Sequence, residues 1–283
     1  MSEAVETDQE ELSKMQLACM TFSVGPGTLG ENLGKIHGLG LSLADLSTGM
    51  HGQRQADKLG VSEDPEGQAA SARQEFDRLG MGVSEVFLCH FGDPINHPDP
   101  AKRQRSRDLF TGFARYARLV GGQSIMMIPG PVHDELGPEA SFELSAQELK
   151  YYVGVSQAEG MQLNIEPHYP SLAQSPEGTI RLCEAVPGLA ITLDYSHFAA
   201  QGYTQDQVEP LHKYASHFHA RQAKLGNRNA PRAEGTIDFS RIVNRMKADG
   251  YDGVICLEYE PHDLDYIEET RLLKEEIEGY LAQ

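Results

Sequence analysis

Short apolar runs alternate with longer amphipathic stretches along this chain of 283 residues. The runs have the length of β-strands, and the stretches between them repeat apolar residues at the helical spacing of three or four. The predicted strands are 16–23, 41–47, 83–90, 124–130, 161–168, 189–196, 215–222 and 253–260. The predicted helices are 27–37, 65–79, 100–120, 145–159, 176–186, 204–213, 238–249 and 266–281.

Several of these helices carry recognisable end signals. Asp99 and Ser175 each stand before a proline, which is the usual arrangement at a helix start, and Ser145 precedes a further apolar-periodic run. Gly160 and Gly250 follow helices, where glycine suits a C-terminal cap. These signals predict where four of the helices begin or end.

Eight strand–helix repeats in a chain of this length predict a (β/α)8 TIM barrel, an α/β fold of about 250 residues. We expect a single barrel domain over residues 15–283, preceded by a flexible acidic lead-in over 1–14. The long polar stretches 48–64 and 223–236 are predicted loops after strands two and seven.

A doubly wound open sheet is the main alternative. The sequence GPGTLG at 25–30 fits the GxGxxG pattern of dinucleotide-binding loops, and Asp45 follows at about the expected distance. A lone match is weak, however, and Asp45 lies inside its predicted strand. The number of repeats favours the closed barrel and a plain glycine-rich loop.

Composition narrows the function classes. The net charge of −18 disfavours nucleic-acid binding, which generally needs a basic surface. No run approaches the ~18 apolar residues of a membrane helix, and the acidic N-terminus does not resemble a signal peptide. We therefore expect a cytoplasmic protein without membrane or nucleic-acid partners. Its cysteines are expected to be reduced thiols at Cys19, Cys89, Cys183 and Cys256.

Polar residues share one face on the last four predicted strands. Alternation along a barrel strand separates an inward face from an outward one, and the inward faces become polar toward the strand ends. The inward residues are Gln162, Asn164, Glu166 and His168; Thr192 and Asp194; His217, His219 and Arg221; and Cys256, Glu258 and Glu260.

Clustered carboxylates need compensating charge, because they repel one another and are costly to bury. A divalent cation supplies that charge. Carboxylate and imidazole ligands suit Mn²⁺, Co²⁺, Fe²⁺, Zn²⁺ or Mg²⁺, of which we prefer Mn²⁺. The sequence therefore predicts one metal site, formed by Glu166, Asp194, His219 and Glu258.

The chain also resembles the xylose isomerase-like barrel superfamily, in particular its sugar isomerase/epimerase branch with tagatose 3-epimerases and hydroxypyruvate isomerases. The matching motifs cover roughly residues 160–260 in family order. They are IEPH (165–168), LDYSH (193–197), HFHAR (217–221), EGTIDF (234–239), GYDG (250–253) and CLEYE (256–260).

The resemblance implies the same four metal ligands, with Glu166 and Glu258 also acting as the acid–base pair. It implies that His197 and Arg221 contact the substrate, and that the chain forms a homodimer or homotetramer. From their positions near strand ends, His168 and His90 are also expected to line the substrate site.

One departure from the family pattern concerns the loop after strand seven. The family often has a Lys/Arg-Asp pair after HFHA, whereas this chain has Arg221-Gln222. The following loop holds Lys224, Arg228 and Arg232, which are either a site for a substrate phosphate or carboxylate or simply solvated side chains.

The expected function is a metal-dependent isomerase or epimerase of a sugar, sugar phosphate or keto acid. A carboxylate would remove a proton next to a carbonyl, and the metal would stabilise the enediolate. The alternative is a lyase or dehydratase that expels a leaving group after the same step. A DNA-repair endonuclease and a non-catalytic sugar-binding module are less favoured, because of the acidic charge and the paired glutamates respectively.

Overall fold

A computed structural model describes residues 15–48, 58–260 and 264–283. Its eight strands form a closed parallel barrel in chain order, with β8 paired to β1. The predicted (β/α)8 architecture is confirmed, and the helices pack around the outside of the barrel. The expected lead-in 1–14 lies outside the described residues.

The strands coincide with the predicted ones, although most end two or three residues earlier. They are β1 Gln16–Met20, β2 Leu43–Ser47, β3 Gly82–Leu88, β4 Ser124–Met127, β5 Gln162–Ile165, β6 Leu189–Asp194, β7 Ala215–Ala220 and β8 Val254–Leu257. Because the strands end early, the polar residues that follow them lie at the mouth of the barrel and not within the sheet.

The helices of the described residues are α1 Leu29–Gly38, α2 Lys58–Glu63, α3 Pro65–Arg78, α4 Pro100–Leu119, α5 Gly137–Ala158, α6 Pro176–Ala185, α7 Tyr195–Gln201, α8 Gln205–Val208, α9 Phe239–Ala248 and α10 Tyr266–Leu281. Two short 3-10 helices, Glu209–Tyr214 and Arg232–Glu234, complete the described set.

Most helix signals act as predicted. Asp99 and Ser175 accept backbone N–H groups at the starts of α4 and α6. Gly160 and Gly250 have the positive φ angles of C-terminal caps. The Ser145 prediction is wrong, because α5 begins at Gly137 and the buried Ser145 hydroxyl donates to the carbonyl of Pro129, 2.6 Å away.

Two helices were not predicted. Part of the expected loop 48–64 is helix α2, while residues 49–57 of that loop lie outside the described residues. Helix α7 follows β6 directly and begins inside the segment predicted as strand. Both are short, and a periodic pattern needs more residues than they have to be visible in sequence.

Apolar residues of the strands fall into two clusters, and β1, β3, β4 and β8 contribute buried residues to both. One fills the space between strands and helices; α9, for example, buries Phe239, Ile242, Val243 and Met246 at the spacing of a single helical face. The other lies inside the barrel and consists of Ala18, Met20, Phe22, Phe87, Met126, Val254 and Cys256. Buried polar side chains share the barrel interior with this second cluster.

Gly112 allows the backbone of α2 to approach α4 closely. A Cβ atom at this position would collide with the carbonyl oxygen of Ser62. We expect Gly112→Ala to lower the free energy of unfolding by about 1–3 kcal/mol, the usual cost of overpacking. The control is Gly154→Ala on the exposed face of α5, where the Cβ meets nothing within 4 Å. It should stabilise by about 0.5–1 kcal/mol. Urea denaturation of both variants measures the free energy of unfolding. Equal changes in the two variants would contradict the close approach of α2 to Gly112.

Among the described residues, no helix combines the length and apolar character needed to cross a membrane.

Candidate metal and substrate site

Four predicted residues reach the carboxyl-terminal mouth of the barrel from neighbouring strands. Glu166 and Glu258 come directly after β5 and β8, and their N–H groups continue the sheet by bonding to Met127 and Ala220 carbonyls at 3.1 and 3.0 Å. On the strands between, Asp194 of β6 is paired in register with His219 of β7. Strand alternation turns all four side chains inward, as predicted.

Three of the four converge on one point. His219 Nδ1 lies 3.1 Å from Glu258 Oε2 and 3.4 Å from Glu166 Oε1. All three side chains are buried, and these three atoms have no hydrogen-bond partner among the described residues. Buried polar atoms are rarely left unsatisfied, so such a group points to a ligand that supplies the missing interactions. The three residues form a group whose ligand atoms are close enough to hold one metal ion.

Asp194 has other partners in this structure. Its Oδ1 accepts the Ser196 N–H at 2.7 Å, and its Oδ2 accepts the Ser196 hydroxyl at 2.8 Å and Arg221 Nη2 at 2.7 Å. It therefore lies beside the group of three rather than within it, and its role as a fourth metal ligand stays a prediction.

Arg221 is the central cation of the site. Its guanidinium is 2% exposed and lies 2.7 Å from Asp194, 3.3 Å from Glu258 and 3.0 Å from Glu260. Burial by itself would lower the pKa of Arg221, but these carboxylates raise it above its usual value. The side chain predicted to contact substrate thus neutralises part of the acidic cluster.

His197 and His168 line the opening beside Glu166. Their rings lie 4.3 Å apart, and His197 Nε2 is 3.7 Å from Glu166 Oε1. Arg228 donates to His168 Nε2 at 2.8 Å. Burial and the charges of His197 and Arg228 lower the pKa of His168 to about 4, so this ring is neutral near neutral pH. Burial by itself would raise the pKa of Glu166, but His197 and His219 hold it well below its usual range.

An open cavity of about 930 Å³ adjoins these two rings, and its wall includes His168, Tyr169, His197, Gln201 and Arg228. His168 and His197 thus line an opening, and their role as substrate contacts stays a prediction. His90 is only half-buried; its Nδ1 accepts the Gly92 N–H at 2.9 Å, and burial lowers its pKa. Its role as a substrate contact stays a prediction.

The basic loop after β7 does not form a cluster of unpaired cations. Lys224 pairs with Glu234. Arg228 lies 3.0 Å from Glu260, and Arg232 lies 2.8 Å from Glu276. Each of these basic side chains thus has a carboxylate partner, which weakens the interpretation of the loop as a phosphate site.

Two buried carboxylates escaped the sequence reasoning about the site. Asp45 of β2 lies inside the barrel, 2.8 Å from His217 Nε2 and 3.2 Å from His219 Nε2. Glu85 of β3 accepts hydrogen bonds from Ser124, Asn164 and Thr192 at 2.6 to 2.7 Å. The sequence contains a signal for both residues, because each is an acid at an inward position of an otherwise largely apolar strand. Asp45 is thereby unavailable for the ribose contact that a dinucleotide loop would need.

The comparison with curated proteins gives one partial match. The chain is 27% identical to an uncharacterized protein of Methanocaldococcus jannaschii over 139 residues, which is 46% of this chain and 47% of that protein. The chain thus spans about half the length of the curated relative it matches.

Solved structures share the fold over nearly the whole chain. A D-tagatose 3-epimerase-like protein aligns with a TM-score of 0.76 at 18% identity, covering 94% of this chain and 98% of that one. The 3-keto-D-glucoside 4-epimerase of E. coli aligns at 0.75 and 14%, covering 94% and 99%. The probable 3-DHS dehydratase of Bacillus anthracis aligns at 0.71 and 15%, covering 92% and 99%.

The family model described as xylose isomerase-like TIM barrel matches residues 45–281, a range that includes every residue of the candidate metal group. The match covers most of the chain and agrees with the closed eight-stranded barrel. The chain belongs to the xylose isomerase-like TIM barrel family.

Proposed function

We propose that this protein is a divalent-metal-dependent isomerase or epimerase of a small carbohydrate or keto acid. The observation that carries the proposal is a group of three buried ligand atoms on Glu166, His219 and Glu258 that have no hydrogen bond in the described part of the chain and lie beside an open cavity at the barrel mouth. When bound there, a metal such as Mn²⁺ would polarise a substrate carbonyl.

The charges of the site fit a bound cation. The buried carboxylates around the barrel mouth outnumber the two guanidinium groups of Arg221 and Arg228 that reach them. These carboxylates are Glu166, Asp194, Glu258 and Glu260. Ionised carboxylates at such density need further positive charge, which a divalent ion supplies.

The protein's own residues supply the proton transfers. Glu166 and Glu258 reach the site from β5 and β8, so a substrate between them meets a carboxylate on each side. One can remove a proton next to the carbonyl, and the other can return one to a different atom or face. The neutral His168 receives Arg228 at Nε2, so Nδ1 is the nitrogen that it offers to a substrate hydroxyl at the cavity wall, next to the ring of His197.

Ion pairing of the basic residues after β7 supports a substrate without a phosphate group over a sugar phosphate. The basic residues after β7 each have a carboxylate partner, and Arg221 faces three. A substrate phosphate would have to displace one of these pairs. We therefore infer that a neutral sugar is preferred over its phosphate.

A lyase reaction is the second candidate, supported by the shared fold of the probable dehydratase of Bacillus anthracis. It needs the same proton removal and a substrate with a leaving group on the next carbon. The nuclease alternative has less support, because it needs further metal ions bound to histidines near the site. Arg228 contacts Nε2 of His168, and Arg221 contacts Nε2 of His197, so these two nitrogens already face a cation.

The proposal is tested by metal analysis followed by a substrate panel. We expect about one equivalent of bound divalent metal, and a higher melting temperature when Mn²⁺ is added to stripped protein. Ketoses, the phosphates of the same ketoses, and keto acids are then incubated in D₂O with the metal-loaded protein. Deuterium incorporation or epimer formation supports isomerisation, whereas an unsaturated product supports elimination. Absence of both metal binding and exchange would exclude the proposed function.

A further inference from the structure

A carboxylate inside the barrel lies behind the histidine of the candidate metal group. Asp45 is fully buried, and its Oδ2 is 3.2 Å from His219 Nε2. The other nitrogen of that ring, Nδ1, faces Glu166 and Glu258. We propose that Asp45 is a positioning residue that accepts the Nε2–H of His219 and so presents Nδ1 to the metal. This inference rests on the proposed function, since it assigns a role toward that metal.

Hydrogen-bond donors surround the Asp45 carboxylate and fix its orientation toward the two histidines. Oδ2 accepts from His217 Nε2 at 2.8 Å as well as from His219. Oδ1 accepts the Glu85 N–H at 3.1 Å and the Ser84 hydroxyl. An ionised carboxylate has about four lone-pair sites and no proton to donate. All of these sites have donors, so the carboxylate cannot rotate toward the metal, and both imidazoles must donate from Nε2.

Without Asp45, the environment of His219 would favour the opposite arrangement. Glu258 Oε2 and Glu166 Oε1 lie 3.1 and 3.4 Å from Nδ1, close enough to attract a proton onto it. A proton on Nδ1 blocks the nitrogen that a metal would use. Asp45 holds the ring proton on the far side, and a carboxylate in that position also makes the ligating nitrogen more basic.

A second metal ion is the competing explanation for the same residues. Ligand atoms of Asp45, His217, His219 and Cys256 lie within 4.8 Å of one another. The histidine Nε2 atoms, however, already point at Asp45 Oδ2 at hydrogen-bond distances. His219 Nδ1, Glu166 Oε1 and Glu258 Oε2, which lie on the other side of the ring, have no hydrogen bonds among the described residues. The geometry therefore fits one metal at Nδ1 and a hydrogen bond at Nε2.

The test combines an Asp45→Asn variant with a direct view of the histidine ring. Removing such a supporting carboxylate typically weakens metal binding about 10–100-fold, and we expect that loss for Mn²⁺ and Zn²⁺ in competition titrations. In ¹⁵N-histidine-labelled wild-type protein loaded with Zn²⁺, the His219 spectrum should show Nδ1 bound to metal and a slowly exchanging proton on Nε2. That protected proton should disappear in Asp45→Asn.

Glu85→Gln is the matched control. Glu85 Oε2 also lies near His219 Nε2, at 3.9 Å, but its hydrogen bonds go to other side chains. This variant removes a buried negative charge from the same neighbourhood while leaving the Asp45 hydrogen bond in place. It should lose much less metal affinity than Asp45→Asn and keep the protected Nε2 proton.

Several results would overturn the inference. They are equal metal affinity in wild type and Asp45→Asn, equal losses in Asp45→Asn and Glu85→Gln, metal bound at His219 Nε2, or two metal ions per chain. If Asp45→Asn fails to fold, the His219 spectrum of the wild-type protein is the remaining test, since it shows which ring nitrogen binds metal and which carries the protected proton. If wild-type protein binds no metal, the proposed function fails, while the metal-free spectrum still shows whether Asp45 holds the Nε2 proton.

Discussion

The Glu258→Gln protein is expected to lose about 10²–10⁴-fold in turnover, the usual contribution of a positioned acid or base. Glutamine keeps the size of the side chain but cannot take up a proton, and its amide is a poorer metal ligand. Because Glu258 Oε2 is one of the three atoms of the candidate metal group, metal affinity should fall as well. Turnover should be measured as deuterium exchange at saturating metal, so that the two losses are separated.

Glu166→Gln should behave similarly, since Glu166 occupies the corresponding place after β5. Glu159→Gln is the control, because Glu159 pairs with Arg118 at 2.8 Å on the outside of the barrel. It should exchange deuterium at the wild-type rate. Unchanged exchange in Glu258→Gln, with metal bound and the fold intact, would show that this carboxylate does not move the proton.

Arg221→Met is expected to cause the largest loss of stability, about 3–5 kcal/mol in the metal-free protein, the range measured when one partner of a buried ion pair is removed. Methionine preserves most of the side-chain volume but leaves Asp194, Glu258 and Glu260 without their shared cation. Urea denaturation of stripped protein measures the effect.

The control for Arg221→Met is Arg118→Met. Arg118 also pairs with a glutamate, but its side chain is 45% exposed, and exposed pairs contribute roughly 0–1 kcal/mol. Added Mn²⁺ should restore part of the stability lost in Arg221→Met and none in Arg118→Met, because it replaces the missing positive charge only at the barrel mouth. Equal losses in both variants would show that Arg221 does not neutralise the cluster as described.

The inward alternation of the last four strands was the most reliable information in the sequence. It placed Glu166, His219 and Glu258 on converging faces, and the structure brings ligand atoms of these three residues together. The same alternation did not reveal that Arg221 lies among the carboxylates, although it put Arg221 on the same face. Alternation gives the direction of a side chain, whereas its length and rotamer decide which neighbour it meets.

Other features depended on contacts between distant parts of the chain. Asp45 and His219 are separated by 174 positions and meet only because β2 and β7 face the same barrel interior. Helix α5 begins before Ser145, whose hydroxyl donates to the carbonyl of Pro129 instead of capping a helix. In each case the partner is remote or lies outside the helix, so the local pattern around the residue carries no trace of it.

The sequence by itself determined the number and order of the strands, the barrel they close into, and which face of each strand is polar. These follow from periodicity, which is a local property of the chain. The tertiary structure alone decided that three ligand atoms have no hydrogen bonds among the described residues, that Asp194 is held by Arg221 and Ser196, and that Asp45 stands behind His219. Such pairings depend on distances across a closed barrel, which are set only when all eight strands have packed.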